Sequence, residues 1–170
     1  MGCGKSSIGP VLANELGYRF IDLDREIERQ KGPITEFFEE SGEEGFRTAE
    51  TEALRDVVGT EGLVVAVGGG AVTVEENRHL MRQHGNSVYL KVPLDILVER
   101  LSRSRARPLL FADDGSRLDR RALEERIATM LAERAPFYES SDIVVDLDRA
   151  SVDEAAKAVA AQIASAKRSI

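Results

Sequence analysis

A chain of 170 residues with 42% hydrophobic content has the size of one domain with a core of its own. Its formal net charge of -7 argues against binding along a nucleic-acid backbone, which would repel it, so an anionic ligand must meet locally basic residues. No stretch reaches the roughly 18 apolar residues of a membrane span, and the single cysteine, Cys3, forms no internal disulfide, so a reducing cytosol is the simplest home.

The chain opens inside a motif. Gly2-Cys3-Gly4-Lys5-Ser6-Ser7 reads as the end of G-x-x-x-x-G-K-[ST], whose backbone N–H groups cradle the phosphates of a nucleoside triphosphate. Gly4 allows close approach of the backbone, Lys5 supplies a point charge, and Ser6 offers a hydroxyl to Mg²⁺. The first glycine of the pattern, and the buried strand expected to lead into it, are not in the sequence. Ile8, Val11, Leu12 and Leu16 recur at helical spacing, which predicts a helix from about Ser6 to Leu16 with Gly17 as its stop.

A strand is predicted at Tyr18–Asp22 and a helix from Asp24 toward Lys31, broken by Gly32-Pro33. Asp22 and Asp24 stand where that strand ends. Asp22 suits Mg²⁺, which prefers carboxylate oxygens and keeps waters. Asp24 suits either a proton-accepting role toward a substrate hydroxyl or the N-cap of the next helix. A helical region runs on to Val58 and carries Arg47, with Glu50 three residues later and able to brace it.

Leu63-Val64-Val65-Ala66-Val67 reads as a parallel strand covered on both faces, and it ends in Gly68-Gly69-Gly70. Three glycines at a strand end imply close approach of a ligand or another group, or dihedrals closed to other residues. Further units follow: a helix near Glu75–Gln83, a strand at Ser87–Val92, a helix from Leu94 to Leu101 and an Arg-rich loop. A long helix over roughly Asp119–Ala135 leads to a strand at Ile143–Asp146 and a last helix from Ser151 to about Ala166. Alternation of this kind gives an α/β fold, a parallel sheet with helices on both faces, whose ligands bind beyond the carboxyl ends of the strands. Arg107 in the loop and Arg134 near the end of the long helix read singly as surface charges, and Arg134 also complements a helix C-terminus.

Taken in order, GxGKSS, FxDxDxxIE, GEExFRxxE, GGG, RPLL and RAPFY resemble the shikimate kinases over nearly the whole chain. The resemblance implies a P-loop kinase-like domain over 1–170, with a substrate-binding helical segment at about 23–58 and a lid loop at about 102–118. It also implies that the first, central strand of that sheet is missing from this sequence. The implied reaction moves the γ-phosphoryl of ATP to the 3-hydroxyl of shikimate. By the same resemblance Gly2 through Ser7 hold the nucleotide, with Arg100 near adenine. Ser6 and Asp22 serve Mg²⁺, and Lys5, Asp24 and Arg107 act in the transfer. Arg47 and Arg134 grip the shikimate carboxylate, with a backbone contact from Gly69 and ring hydroxyls on Asp24. The implied enzyme is a cytoplasmic monomer without nucleic-acid or membrane partners. A gluconate-kinase-like enzyme of the same architecture, and a domain that binds without turnover, are the other readings open at this point.

Overall fold

The computed structural model describes residues 2–103, 110–111 and 115–166. Helix α1 (Lys5–Leu16) follows the phosphate-loop residues and stops at Gly17, whose left-handed φ of 68° closes the cap. Strand β1 (Arg19–Asp22) feeds α2 (Leu23–Lys31) without a gap. The next helix, α3 (Ile34–Val57), is two segments joined at Gly42, where φ is 67°. The sequence reading takes this region as one helical stretch. The glycine makes the break sterically free.

Strand β2 (Leu63–Ala66) leads through the triple glycine into a single 3₁₀ turn at Ala71–Thr73 and then α4 (Glu75–His84). The turn is not anticipated by the sequence reading. Strand β3 (Val88–Lys91), α5 (Leu94–Ser102), α6 (Arg120–Glu139), β4 (Ile143–Asp146) and α7 (Val152–Ala166) complete the order. The largest boundary difference is in α6. It passes through Pro136 and ends five residues beyond Arg134, so Arg134 is not at the helix terminus where its charge would complement the dipole.

All strand pairings are parallel, as the alternating pattern requires. Among the described residues the strands form two pairs, β1 with β2 and β3 with β4, where the sequence reading anticipates one sheet. A cavity of about 510 Å³, lined by Val64, Val65, Val88 and Leu90 among others, lies between the pairs. Val64 and Val65 are accordingly half-buried, not covered on both faces as their apolar run suggests. Strand β4 alternates buried and exposed, with Ile143 and Val145 inward, so only one of its faces is covered.

Each pair carries its own apolar cluster. Leu23, Ile27, Phe46 and Leu54 gather where α2 and α3 meet. Leu97, Leu101, Leu123, Ile127 and Val159 gather among α5, α6 and α7. Burying one such side chain contributes about 1.5–3 kcal/mol. Helix α1 puts Ile8 and Leu12 into the second cluster and also touches β1 and β2, and so links the two strand pairs.

Candidate active site

The phosphate loop is shaped by two glycines. Gly2 and Gly4 have φ of 76° and 100°, values that L side chains rarely adopt. Gly4 is the N-cap of α1, and its carbonyl accepts from Ser7 and Ile8 N–H at 2.9 and 2.8 Å. The first free N–H groups of α1 thus lie with Lys5 and Ser6, at the positive end of the helix dipole. A cleft of about 430 Å³ runs alongside, lined by Gly2 through Ile8 and, across it, by Arg100, Ser151 and Val152. Arg100 donates to the carbonyls of Gly2 and Cys3, both at 3.4 Å, which puts it over the loop.

The acids at the end of β1 meet this loop directly. The Ser6 hydroxyl donates to Asp22 Oδ2 at 2.6 Å, and Lys5 Nζ to Asp24 Oδ2 at 3.3 Å. Asp22, not Asp24, is the N-cap of α2: its Oδ1 accepts from the Asp24 N–H at 3.2 Å. The helix starts one residue earlier than the sequence suggests because Leu23 is wholly buried under it. Asp24 is therefore free of capping duty and spends its carboxylate on Lys5.

The Ser6 hydroxyl and Asp22 carboxylate form a pair of hard oxygen donors beside a phosphate loop. That set fits Mg²⁺, which commonly takes one or two protein oxygens and fills its octahedron with water and phosphate. Among the described residues no group of three or more His, Cys, Asp and Glu forms a cage.

Arg47 lies on α3 between two acids. Its Nη1 donates to Glu50 Oε2 at 2.6 Å and its Nη2 to Glu43 Oε1 at 3.4 Å. Glu50 is fully buried, and burial pushes its carboxyl above the usual range against the lowering effect of Arg47. The other oxygen, Glu50 Oε1, is buried with no hydrogen-bond partner in the structure.

These side chains explain two of the three glycines. A Cβ on Gly68 would stand 2.0 Å from Glu50 Oε1, and one on Gly70 would stand 2.3 Å from Arg47 Nη2. None of Gly68, Gly69 and Gly70 has positive φ, so the constraint is close approach and not dihedral freedom. Gly70→Ala should push the Arg47 guanidinium aside without backbone strain. If Arg47 contacts the substrate, as the sequence resemblance implies, the expected result is a rise of roughly 10-fold or more in that substrate's KM, with overpacking limited to about 1–3 kcal/mol. Steady-state kinetics beside a thermal melt checks it, and an unchanged KM would detach Arg47 from the substrate.

Helix α6 closes the far side. Arg134 and Tyr138 are one turn apart, and the Tyr138 hydroxyl donates to the Gly69 carbonyl at 2.7 Å. The positive charges of Arg134 and Arg47 both act on that hydroxyl, and Arg47 itself lies against Gly70. Arg78, on α4, lies 4.6 Å from the Phe137 ring centroid and donates to the carbonyls of Val72 and Thr73 at 2.7 and 3.0 Å. Neither Arg78 nor Tyr138 is found by the sequence reading. The available signal was Tyr138 four residues after Arg134, hidden by Pro136 as an assumed helix stop.

Of the candidate residues, the structure brings together Gly2, Cys3, Gly4, Lys5, Ser6, Ser7, Asp22, Asp24 and Arg100 at the loop. It gathers Arg47, Gly69 and Arg134 at the end of β2. Arg107 lies outside the described residues. The loop's edges are anchored: Arg117 donates to the Ser102 carbonyl, Arg126 to that of Phe111, both at 2.6 Å, and Leu110 is buried.

Comparison with known proteins agrees with this geometry. The sequence model of the family described as shikimate kinase matches residues 1–164. The shikimate kinase of Chlorobium limicola is 47% identical over 148 residues, 86% of this chain and 74% of that protein. That of Chlorobaculum tepidum is 42% identical over 172 residues, 98% of this chain and 90% of that protein. Among solved structures, shikimate kinase from Acinetobacter baumannii in complex with shikimate superposes with a TM-score of 0.87 at 36% identity, over 98% of this chain and 90% of that one. With its phosphate loop, paired aspartates and arginine-flanked glycines set out in that family's order, this chain belongs to the shikimate kinase family.

Proposed function

We propose that the two groups of residues at the strand ends are the two halves of one phosphoryl-transfer site. The family makes this an ATP- and Mg²⁺-dependent kinase acting on shikimate. The observation that carries the residue assignment is the Lys5–Asp24 contact at 3.3 Å, which joins the phosphate loop to the acid that borders Gly68.

The nucleotide's phosphates lie on the loop Gly2–Ser7 and the N-terminus of α1, with Lys5 neutralising charge as it spreads over the transferring group. Ser6 and Asp22 would hold Mg²⁺, whose chemistry is to neutralise phosphate charge. Arg100 lines the nucleotide cleft. At the other half, Arg47 and Arg134 grip the carboxylate of shikimate, Gly69 contributes a backbone contact, and Glu50 holds Arg47 in place.

Asp24 orients the 3-hydroxyl and accepts its proton as the oxygen attacks the γ-phosphorus, whose bond to the bridging oxygen breaks as ADP leaves. Lys5 lies 3.3 Å from that carboxylate, so one cation serves both the acid and the phosphates beside it. Arg107 is assigned to the transferring phosphate on the resemblance alone, as is the picture of a monomeric cytoplasmic enzyme.

The test is acceptor choice. In a coupled ADP-release assay, shikimate should support turnover with Mg²⁺ present, and gluconate at the same concentration should not exceed the acceptor-free rate. Turnover with gluconate and none with shikimate would transfer the site to the gluconate-kinase-like reading.

A further inference from the structure

The triple glycine poses a mechanical problem. Its residues have no side chains to lock them, and Gly69 in particular is only half-buried. Glycine backbone is the freest in the chain, and a glycine run loses the most entropy when it must hold one geometry. Something outside the loop has to fix it.

Helix α6 does so from two adjacent residues. The Tyr138 hydroxyl takes the Gly69 carbonyl at 2.7 Å. Phe137 carries Arg78 against its ring, and Arg78 holds the carbonyls of Val72 and Thr73. The Tyr138 ring itself is pinned, stacked on Tyr89 of β3 with centroids 5.0 Å apart and planes 19° from parallel. One aromatic side chain thus connects a β3 residue, helix α6 and the loop after β2, and it does so beside the cavity that separates the two strand pairs.

Two consequences follow from the chemistry of a phenol. In a trans peptide the carbonyl and the next N–H point opposite ways, so holding the Gly69 carbonyl also fixes the direction of the Gly70 N–H. A hydroxyl also both donates and accepts. Burial pushes the Tyr138 phenol above its ordinary value, opposed by the positive charge of Arg134 one turn earlier on α6, so at neutral pH it is a protonated donor to Gly69.

We propose that Tyr138 is a positioning residue for shikimate: its hydroxyl ties the Gly69 backbone to helix α6, which carries Arg134 one turn earlier, so that loop and helix present one fixed grip. This rests on the reading of Gly69 and Arg134 as substrate contacts.

Tyr138→Phe removes the O–H and keeps the ring on Tyr89. The shikimate KM should rise about 5- to 30-fold, the value of one well-placed hydrogen bond, while the ATP KM stays unchanged and the melting temperature falls by no more than about 4 °C. Arg134→Ala is measured in the same assay as a reference. If Arg134→Ala raises the shikimate KM and Tyr138→Phe does not, the positioning role is overturned and the substrate reading stands. If neither variant moves it, the substrate reading of α6 fails as well. Parallel rises in both KM values with a large loss of melting temperature would reduce Tyr138 to a packing residue and overturn the proposal. Should Tyr138→Phe not fold, 3-fluorotyrosine at this position supplies a second measurement. Its phenol ionises at lower pH, and a phenolate cannot donate to Gly69, so the alkaline rise in shikimate KM should begin at lower pH than in the parent. An unmoved profile would overturn the role.

Discussion

Arg134→Ala is expected to raise the shikimate KM by roughly 30- to 5000-fold, the equivalent of about 2–5 kcal/mol for losing one partner of a desolvated charge pair. The ATP KM should stay within about threefold, since a contact made only to one substrate is lost from that substrate's binding. Arg47→Ala should behave alike, with an added cost. Glu50 is fully buried beside it and takes its hydrogen bond from Arg47, so removing the arginine strands a carboxyl already pushed up by burial. Lysine at either position should recover little, because a point charge cannot reproduce a planar fork on a carboxylate. A shikimate analogue without its carboxylate isolates the interaction: it should bind the parent poorly and be nearly indifferent to Arg134→Ala. Parent-like affinity for that analogue would remove the arginine grip altogether.

The second large effect belongs to the paired acids. Asp24→Asn should lower kcat by roughly 10²- to 10⁴-fold, the usual span for a group that accepts a proton during transfer, with ATP affinity largely retained. Asp22→Asn is the informative contrast. Asparagine caps a helix about as well as aspartate, so α2 should keep its N-cap and the fold should survive. What is lost is charge next to the Ser6 hydroxyl, and the Mg²⁺ concentration needed for half-maximal rate should rise. The measurement is a Mg²⁺ titration of initial rates for parent and both variants. Equal kcat in Asp24→Asn and parent would end the proton-acceptor assignment, and an unchanged Mg²⁺ requirement in Asp22→Asn would end the metal one.

Much of this site could be read from sequence because its pieces are local. The Gly-Lys-Ser turn needs particular residue types in direct succession, and Phe20-Ile21-Asp22-Leu23-Asp24 announces a strand end with acids on it. The Arg47–Glu50 brace follows from helical spacing alone, and it is found at 2.6 Å. What escaped is non-local or breaks a local rule. Pro136 ordinarily ends a helix because it lacks an N–H and crowds the preceding turn. Here α6 continues, and Phe137 and Tyr138 beyond it are held by Arg78 and Tyr89. Tertiary contacts outweigh the local penalty. The reason for three glycines was likewise invisible, since the atoms that crowd Gly68 and Gly70 belong to Glu50 and Arg47, about twenty residues earlier. The half-buried inner strands could not be told from covered ones, because an apolar run looks the same in both settings.

The separation of the strands into two pairs, each with its own apolar cluster, bears on how the molecule breathes. Regions with separate cores open as separate cooperative units, and the boundary between them is where opening is easiest. That boundary runs through the active site. Asp22, Asp24, Arg47 and the triple glycine ride on one unit, Arg100, Arg134 and Tyr138 on the other, with α1 as the beam across. On the proposed grip, a substrate held by both Arg47 and Arg134 is a strut as well as a reactant, and by mass action it should tighten amide protons far from any contact with it.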